Sequence, residues 1–440
     1  MKDLTRLRQQ VRAAWAKLPK DVQAQLEPKI RGAHSYILGV RSRTASAVMR
    51  PPHRELLMLH SLLYDDPDLL LPTPAARAPE GLLPPTVGPD GQVYFGDVDY
   101  DATDIGWAYC FPAMVFTEGL TPPFVSGAPS GAVKIPDSAT LAILGDWGGW
   151  NTSAQKVGAA AKASNADYFI HLGDVYYAGT NASDKLDPEE STHFVDVWEG
   201  SAGRSFALNS NHDMYAHATG YSLTALKAPA FAAQKGANSF ALYNTAFRIV
   251  GLDSAYYAPD NKIADFPGYM KGSLGDPQGD QMVFLRNQIS QLQGGQTLIL
   301  LTHHNGLNLD GSIPTATDDS YLLWQQVTQV VRQLPAGSSK SVYWYWGHEH
   351  AGAVYAPQRV NGTTIYPRCC GHGCIPWGLT AELSQSRNVL WFEKENLGPG
   401  NNYFVTNGYA TLTLSGASLK ESFWNQTGKQ SWSGSPVAAA

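Results

Sequence analysis

Cysteine is scarce in this chain: four residues in 440 (Cys110, Cys369, Cys370, Cys374), too few for a disulfide framework at this size. Long apolar runs are missing too. No uninterrupted stretch approaches the ~18 residues needed to span a bilayer, and candidates such as TLILLTHHNGL end in polar groups. The N-terminus, MKDLTRLRQQVRAAWAKLPKDVQ, scatters charge throughout and lacks the apolar centre of a signal peptide. These absences predict a cytoplasmic protein without a transmembrane segment. Charge itself is sparse, at 16% of residues, but 12 Trp and 21 Tyr supply enough aromatic surface to argue against a disordered chain.

What charge there is lies unevenly. Residues 1–54 hold twelve Lys and Arg against three acids, Asp3, Asp21 and Glu27, so the remainder of a chain of net charge −6 is acidic. Two readings of this basic arm stand open. One is a contact with a polyanion, a membrane surface, a partner or the acidic body of its own protein; the other is a solvated helical face. No feature points to a specific nucleic-acid site.

Three segments differ in composition. In residues 1–64, Leu4, Leu7, Val11, Trp15 and Leu18 recur at helical spacing, and LLMLHSLLY follows paired prolines that suit a helix start. Residues 65–136 are dense in Pro and Gly with short aromatic runs, QVYFG and WAYCFPAMVF, and read as an extended segment lying over the next domain. From 137 to 440 the grammar changes again. TLAILGD ends at Asp146, DYFIHLGD at Asp174, SFALNSN at Asn211, TLILLTH at His303 and SVYWYWGH at His348. Each is a short apolar run finishing in a metal-competent residue. TSAQKVGAAAKAS between the first two predicts a helix capped by Thr152 or Ser153, hence a βαβ unit. LLWQQVTQVVRQL predicts a second helix, and GYATLTLSGASLKESFWNQ a terminal hairpin. Ligands in open α/β sheets gather at the carboxyl ends of strands, where all five endings fall.

Singly these residues prove little, since an Asp after a strand is usually a turn residue. Together they have a common chemistry. Two cations about 3.5–4 Å apart need an anionic bridge, which Asp174 supplies. Asp146 adds a second hard oxygen, Asn211 an amide oxygen, and His303, His348 and His350 borderline nitrogens. Such mixed ligation suits Fe, Mn, Zn or Co and not Ca. In GHEH, strand alternation sends His348 and His350 the same way, one to each ion. His212, beside a ligand but outside the set, is placed to protonate a leaving alkoxide, with Asp213 to orient it; its bland reading is a side chain that fixes the Asn211 loop.

The ordered motifs GDWG (145–148), GDVYY (173–177), SNHD (210–213), LLTHH (300–304) and GHEH (347–350) resemble those of calcineurin-like metallophosphoesterases over roughly 280 residues. Most of that superfamily has Asp-x-His first; here Gly148 takes the His position. The purple acid phosphatase branch lacks that His and uses a Tyr from Gly-Asp-x-x-Tyr, which maps to Tyr177. The resemblance implies Fe(III) at Asp146, Asp174, Tyr177 and His350, and a divalent ion (Fe, Zn or Mn) at Asp174, Asn211, His303 and His348. A packed aromatic is the alternative for Tyr177. The third motif reads Ser-Asn-His-Asp where that branch has Gly-Asn-His-Glu, and His303 is followed by His304, which either reaches the substrate phosphate or packs its loop. RCCGHGCIPWG (368–378) lacks the two CxxC halves of a structural zinc module; the resemblance places it as a Gly-rich loop lining the site, with His372 touching substrate.

The expected fold is thus a four-layer α/β/β/α sandwich with a helical N-terminal extension. The expected function is dinuclear hydrolysis of small-molecule phosphate mono- or diesters by a metal-bound hydroxide. Two other classes remain: a catalytically silent scaffold, and a dinuclear hydrolase of non-phosphate esters or amides.

Overall fold

The computed structural model describes residues 4–41, 63, 85–87, 93–95, 112–113, 115–117, 119–127, 131–149, 151–181, 188–259, 268–375, 381–398, 401–434 and 437–438. The expected helix start at Pro51 and most of the aromatic run 107–116 lie outside these residues.

Two sheets dominate. The first contains β2 (Ser138–Leu144), β3 (Tyr168–His171), β4 (Ser205–Ala207), β13 (Gly408–Ser415), β14 (Ser418–Asn425), β15 (Gln430–Ser433) and β16 (Val437–Ala438). Its order is β15-β14-β13-β2-β3-β4, with β16 also on β14. The second contains β1 (Val133–Lys134), β5 (Phe240–Tyr243), β6 (Phe247–Leu252), β7 (Thr297–Thr302), β8 (Ser341–Trp346), β9 (Gly352–Tyr355), β10 (Gln358–Val360), β11 (Thr363–Cys370) and β12 (Val389–Phe392). Its order is β12-β9-β11-β8-β7-β6-β5-β1, with β10 beside β11. β2, β3 and β4 run parallel, as do β6, β7, β8 and β11. The chain's last strands form the expected hairpin, pairing Tyr409 with Trp424 and Leu412 with Glu421.

Alternation along the strands builds the layers. In β7, Ile299 and Leu301 face inward, where they join Leu141, Ile143, Ile170 and Phe423 of the first sheet in one buried cluster. Leu298 and Leu300 point the other way, onto helices α4 (Asp280–Ser290) and α5 (Tyr321–Val331), through Met282, Leu285, Leu323 and Val327. The outer face of the first sheet, with Ala142, Leu144 and Phe169, is covered by Ala154, Val157 and Ala161 of α3 (Thr152–Ala163). Both faces of each parallel stretch are covered, which is why these strands read as near-continuous apolar runs. The layer order is α/β/β/α, as the resemblance implies. The cap of α3 is Asn151, whose Oδ1 accepts from the Ala154 N–H at 2.8 Å. The expected Thr152 and Ser153 lie within the first turn instead.

The basic arm forms α1 (Leu4–Lys17) and α2 (Lys20–Arg41). Val11, Ala14, Leu18, Leu26 and Ile30 are buried in the same cluster as α3, so these residues of the arm pack on the body of the protein. Residues 119–127 lie along the second sheet: Asn238 and Val125 exchange hydrogen bonds, and the Gly127 N–H donates to Ser239 Oγ. Residues 112–113 and 115–116 are helical, within the segment expected to be extended. No helix among the described residues is long and apolar enough to cross a membrane.

Candidate metal centre

The five strand ends converge. β2 delivers Asp146, β3 Asp174 and β4 Asn211 from the first sheet; β7 delivers His303 and β8 His348 from the second. The turns are laced together: Asp146 N–H donates to Gly173 O, Gly148 N–H to Asp174 O and Gly347 N–H to His303 O, at 3.0–3.1 Å. Asp146, Asp174 and His348 all adopt left-handed backbone, with φ of 56°, 73° and 64°. Such conformations cost of order 1–3 kcal/mol each and persist only where the surroundings impose them, typically at functional sites. Small neighbours make the approach possible. A Cβ on Gly148 would lie 2.6 Å from Val175 Cα, so the His of the commoner first motif has no room here, and one on Gly347 would collide with Asp146 Oδ2.

Two groups of donors result, one of Asp146, Asp174 and His350 and one of His303, His304 and His348. Asp174 touches both. Its Oδ1 is 3.2 Å from His303 Nε2, while its Oδ2 accepts the Tyr176 hydroxyl at 2.7 Å. Asn211 Oδ1 lies 2.8 Å from His303 Nε2 and 3.0 Å from His348 Nδ1. His350 Nε2 is 3.6 Å from Asp146 Oδ1, and the Asp146 Oδ2 accepts the His348 N–H at 2.8 Å. His348 and His350 do serve different groups, but from a bend and not from strand alternation.

The protonation states test whether cations fit. His303 Nδ1 is 2.9 Å from the Leu172 carbonyl, so it carries the proton and Nε2 does not. Burial pulls the His303 imidazole down from its ordinary pKa, and burial with the neighbouring imidazoles of His304 and His303 pulls His348 far down. The bare Nε2 of His303 therefore points at two acceptors, Asn211 Oδ1 and a buried Asp174 Oδ1 that has no hydrogen-bond donor. Three lone pairs facing one another repel unless a cation lies among them. Burial, aided by the Asp174 charge, pushes the Asp146 carboxyl well above the usual range. Burial opposes ionisation of Asp174 as well, but the imidazoles of His303, His212 and His348 hold it well below that range.

The positions of four further side chains bear on the sequence reading. The phenol on the Asp146–Asp174–His350 group is that of Tyr176, whose hydroxyl is 2.7 Å from Asp174 Oδ2, 2.9 Å from His350 Nε2 and 3.4 Å from Asp146 Oδ1. Tyr177, expected there, contributes its backbone: its N–H donates to Glu189 Oε1 and its carbonyl accepts from His212 Nδ1 at 2.7 Å. The chain turns at Asp174 with φ of 73°, so counting residues from the motif does not predict which ring returns to the site. The same contact corrects Asp213, because the Tyr177 carbonyl orients His212. Asp213 is buried against Ser210 and Glu190 instead, with burial pushing its carboxyl up to about 8. His304 packs its loop: Ser254 Oγ donates to Nδ1 at 2.9 Å and Nε2–H donates to the Tyr269 carbonyl at 2.7 Å, which occupies both nitrogens. Its pKa is pulled down to about 3 by burial and His303. His372 is buried among Gly352, Gly408 and Phe423 in the interior. The neighbouring thiols are structural too. Cys369 donates to the Ala351 carbonyl and Cys374 to the Asp146 carbonyl, and neither belongs to a metal-competent group among the described residues.

Sequence reasoning missed Glu189. Its carboxylate accepts the N–H groups of Tyr177 and Ala178 at 2.6 and 2.8 Å and clamps the turn that carries both tyrosines. Nothing local in PEEST (188–192) announces this, because the partners are a dozen residues upstream.

Residues 139–352 match the calcineurin-like phosphoesterase family. No curated protein matches the chain. Among solved structures, GAP50, described as the anchor in the inner membrane complex of Plasmodium, is 13% identical; the match covers 68% of this chain and 89% of that one, with a TM-score of 0.46. PhoD is 12% identical over 70% of this chain and 73% of its own, with a TM-score of 0.40. The family match spans the stretch in which Asp146, Asp174, Asn211, His303 and His348 stand in order at successive strand ends.

Proposed function

We propose that the chain hydrolyses phosphate esters with a pair of cations, one held by Asp146, Asp174, Tyr176 and His350 and one by Asp174, Asn211, His303 and His348. The family implies metal-dependent phosphoester hydrolysis. The observation that carries the dinuclear reading is the unprotonated Nε2 of His303 aimed at two acceptors, beside a carboxylate whose two oxygens serve separate groups. Ions held by these residues would supply positive charge for the phosphoryl oxygens and acidify water for attack on phosphorus.

The protein's own part is to hold and orient. His212, buried against the Tyr176 and Tyr215 rings, donates from Nδ1 to the Tyr177 carbonyl, an orientation from which its imidazolium form would pass the Nε2 proton to the departing alcohol. His212→Asn is expected to lower kcat on an alkyl phosphate by about 10²–10⁴-fold. The loss should be much smaller on p-nitrophenyl phosphate, whose leaving group needs no proton. Equal losses on both esters, at unchanged metal content, would remove His212 from this role.

A phenolate ligand favours a trivalent ion, so Fe(III) suits the Tyr176 group and Fe, Zn or Mn the other. Fe(III)-loaded protein should then show a visible charge-transfer band that Tyr176→Phe abolishes and Tyr177→Phe retains. The reverse pattern restores Tyr177 as the ligand.

Elemental analysis with hydrolysis assays on p-nitrophenyl phosphate and bis(p-nitrophenyl) phosphate tests the function as a whole. About two ions per chain with turnover of either ester supports it. Two ions with no turnover of either ester would leave a silent scaffold or a hydrolase of another bond.

A further inference from the structure

Residues 268–274 form a strap alongside the metal centre. It is pinned at three points: the Tyr269 carbonyl accepts from His304 Nε2, the Ser273 N–H donates to the Ser254 carbonyl at 2.8 Å, and the Leu274 N–H donates to Gln326 Oε1 at 2.7 Å. Gly272 lies flush on His304, where a Cβ would come within 2.6 Å of the His304 Cβ. Between these anchors Tyr269 is held at φ of 62°, a left-handed conformation costly for an aromatic residue.

The strap brings Met270 to the site. Its Sδ is 3.7 Å from Asn211 Nδ2, on the nitrogen side of the amide whose oxygen faces His303 and His348. Met270 is half-buried, whereas Asp146, Asp174, Asn211 and His303 are at most 2% exposed. His348 and His350 share its partial exposure. Met270 thus stands at the partly exposed edge of the site, on a backbone pinned at Tyr269 and Ser273.

We infer that Met270 is the surface on which the organic part of the ester rests, and that the site favours esters whose alcohol is aryl or alkyl next to phosphorus over hydroxylated ones. A thioether packs well on rings and methylenes but offers hydroxyl groups almost no hydrogen bonding. This inference rests on the proposed phosphoesterase reading.

The test compares phenyl phosphate with glycerol phosphate, using metal-loaded wild type, Met270→Ala and Met270→Leu. Met270→Ala should lower kcat/KM for phenyl phosphate about tenfold, mainly through KM, as expected for losing a partly buried thioether side chain. The loss on glycerol phosphate should be clearly smaller, and Met270→Leu should restore most of the phenyl phosphate activity. Equal losses on both esters, or none on either, overturn the assignment, since Met270 would then act through Asn211 or not at all. Binding of phenylphosphonate, which cannot turn over, separates this idea from the catalytic one. Weaker binding to Met270→Ala supports the contact even if no ester is hydrolysed; unchanged binding refutes it.

Discussion

Replacing Asp174 with asparagine is expected to lower p-nitrophenyl phosphate hydrolysis by at least ~10³-fold, about 4 kcal/mol of transition-state stabilisation. Both ions should be lost or greatly weakened. The expectation comes from the two faces of one carboxylate: Oδ1 serves the His303 side and Oδ2 the Tyr176 side. Asparagine keeps the shape but removes the charge that holds two cations close together. Asp146→Asn provides the contrast, because the Asp146 oxygens lie with Tyr176, His350 and the His348 N–H; it should retain about one ion. If Asp174→Asn keeps two ions by elemental analysis and near-normal turnover, the bridging role is wrong.

The second large effect concerns stability. Arg368 of β11 and Glu421 of β14 form a bidentate pair, Nε to Oε1 and Nη2 to Oε2 at 2.9 Å, with the Tyr345 hydroxyl donating to the same carboxylate. Both residues are buried, and they belong to different sheets. Glu421→Ala leaves a buried guanidinium without its counter-charge and is expected to destabilise the protein by about 3–5 kcal/mol. Replacing both residues with apolar ones of similar volume (Arg368→Met with Glu421→Leu) should recover most of that loss, since a buried ion pair contributes little net stability relative to well-packed apolar groups. Denaturant melts of the two variants decide it. A single-variant cost below about 1 kcal/mol would class the pair with exposed salt bridges.

The strands and the meeting of their polar ends were legible for a local reason. A strand that is apolar on both faces and stops at a polar residue carries its pattern in six or seven consecutive positions, as TLILLT does before His303. The order of such endings then suffices to gather Asp146, Asp174, Asn211, His303 and His348. What failed depended on chain paths beyond the strand ends. Tyr176 and Tyr177 are adjacent and chemically identical, so the local sequence does not say which ring returns to the site, where the Tyr176 hydroxyl lies. His304 and His372 have the right side chain in motif-like surroundings, yet Ser254 and Tyr269 occupy one, and Gly352 and Gly408 enclose the other. Those partners are 35 residues or more from His304, a distance at which sequence pattern carries no register.

Because Asp174 and Asn211 come from one sheet and His303 and His348 from the other, occupation of this centre rivets the sandwich across its seam. Each ion that prefers the folded chain raises the work of prying the sheets apart by an amount that grows with the logarithm of its free concentration. If the proposed ion pair is bound, chelation should therefore loosen both sheets, and the metal supply of its surroundings would govern how long the protein survives.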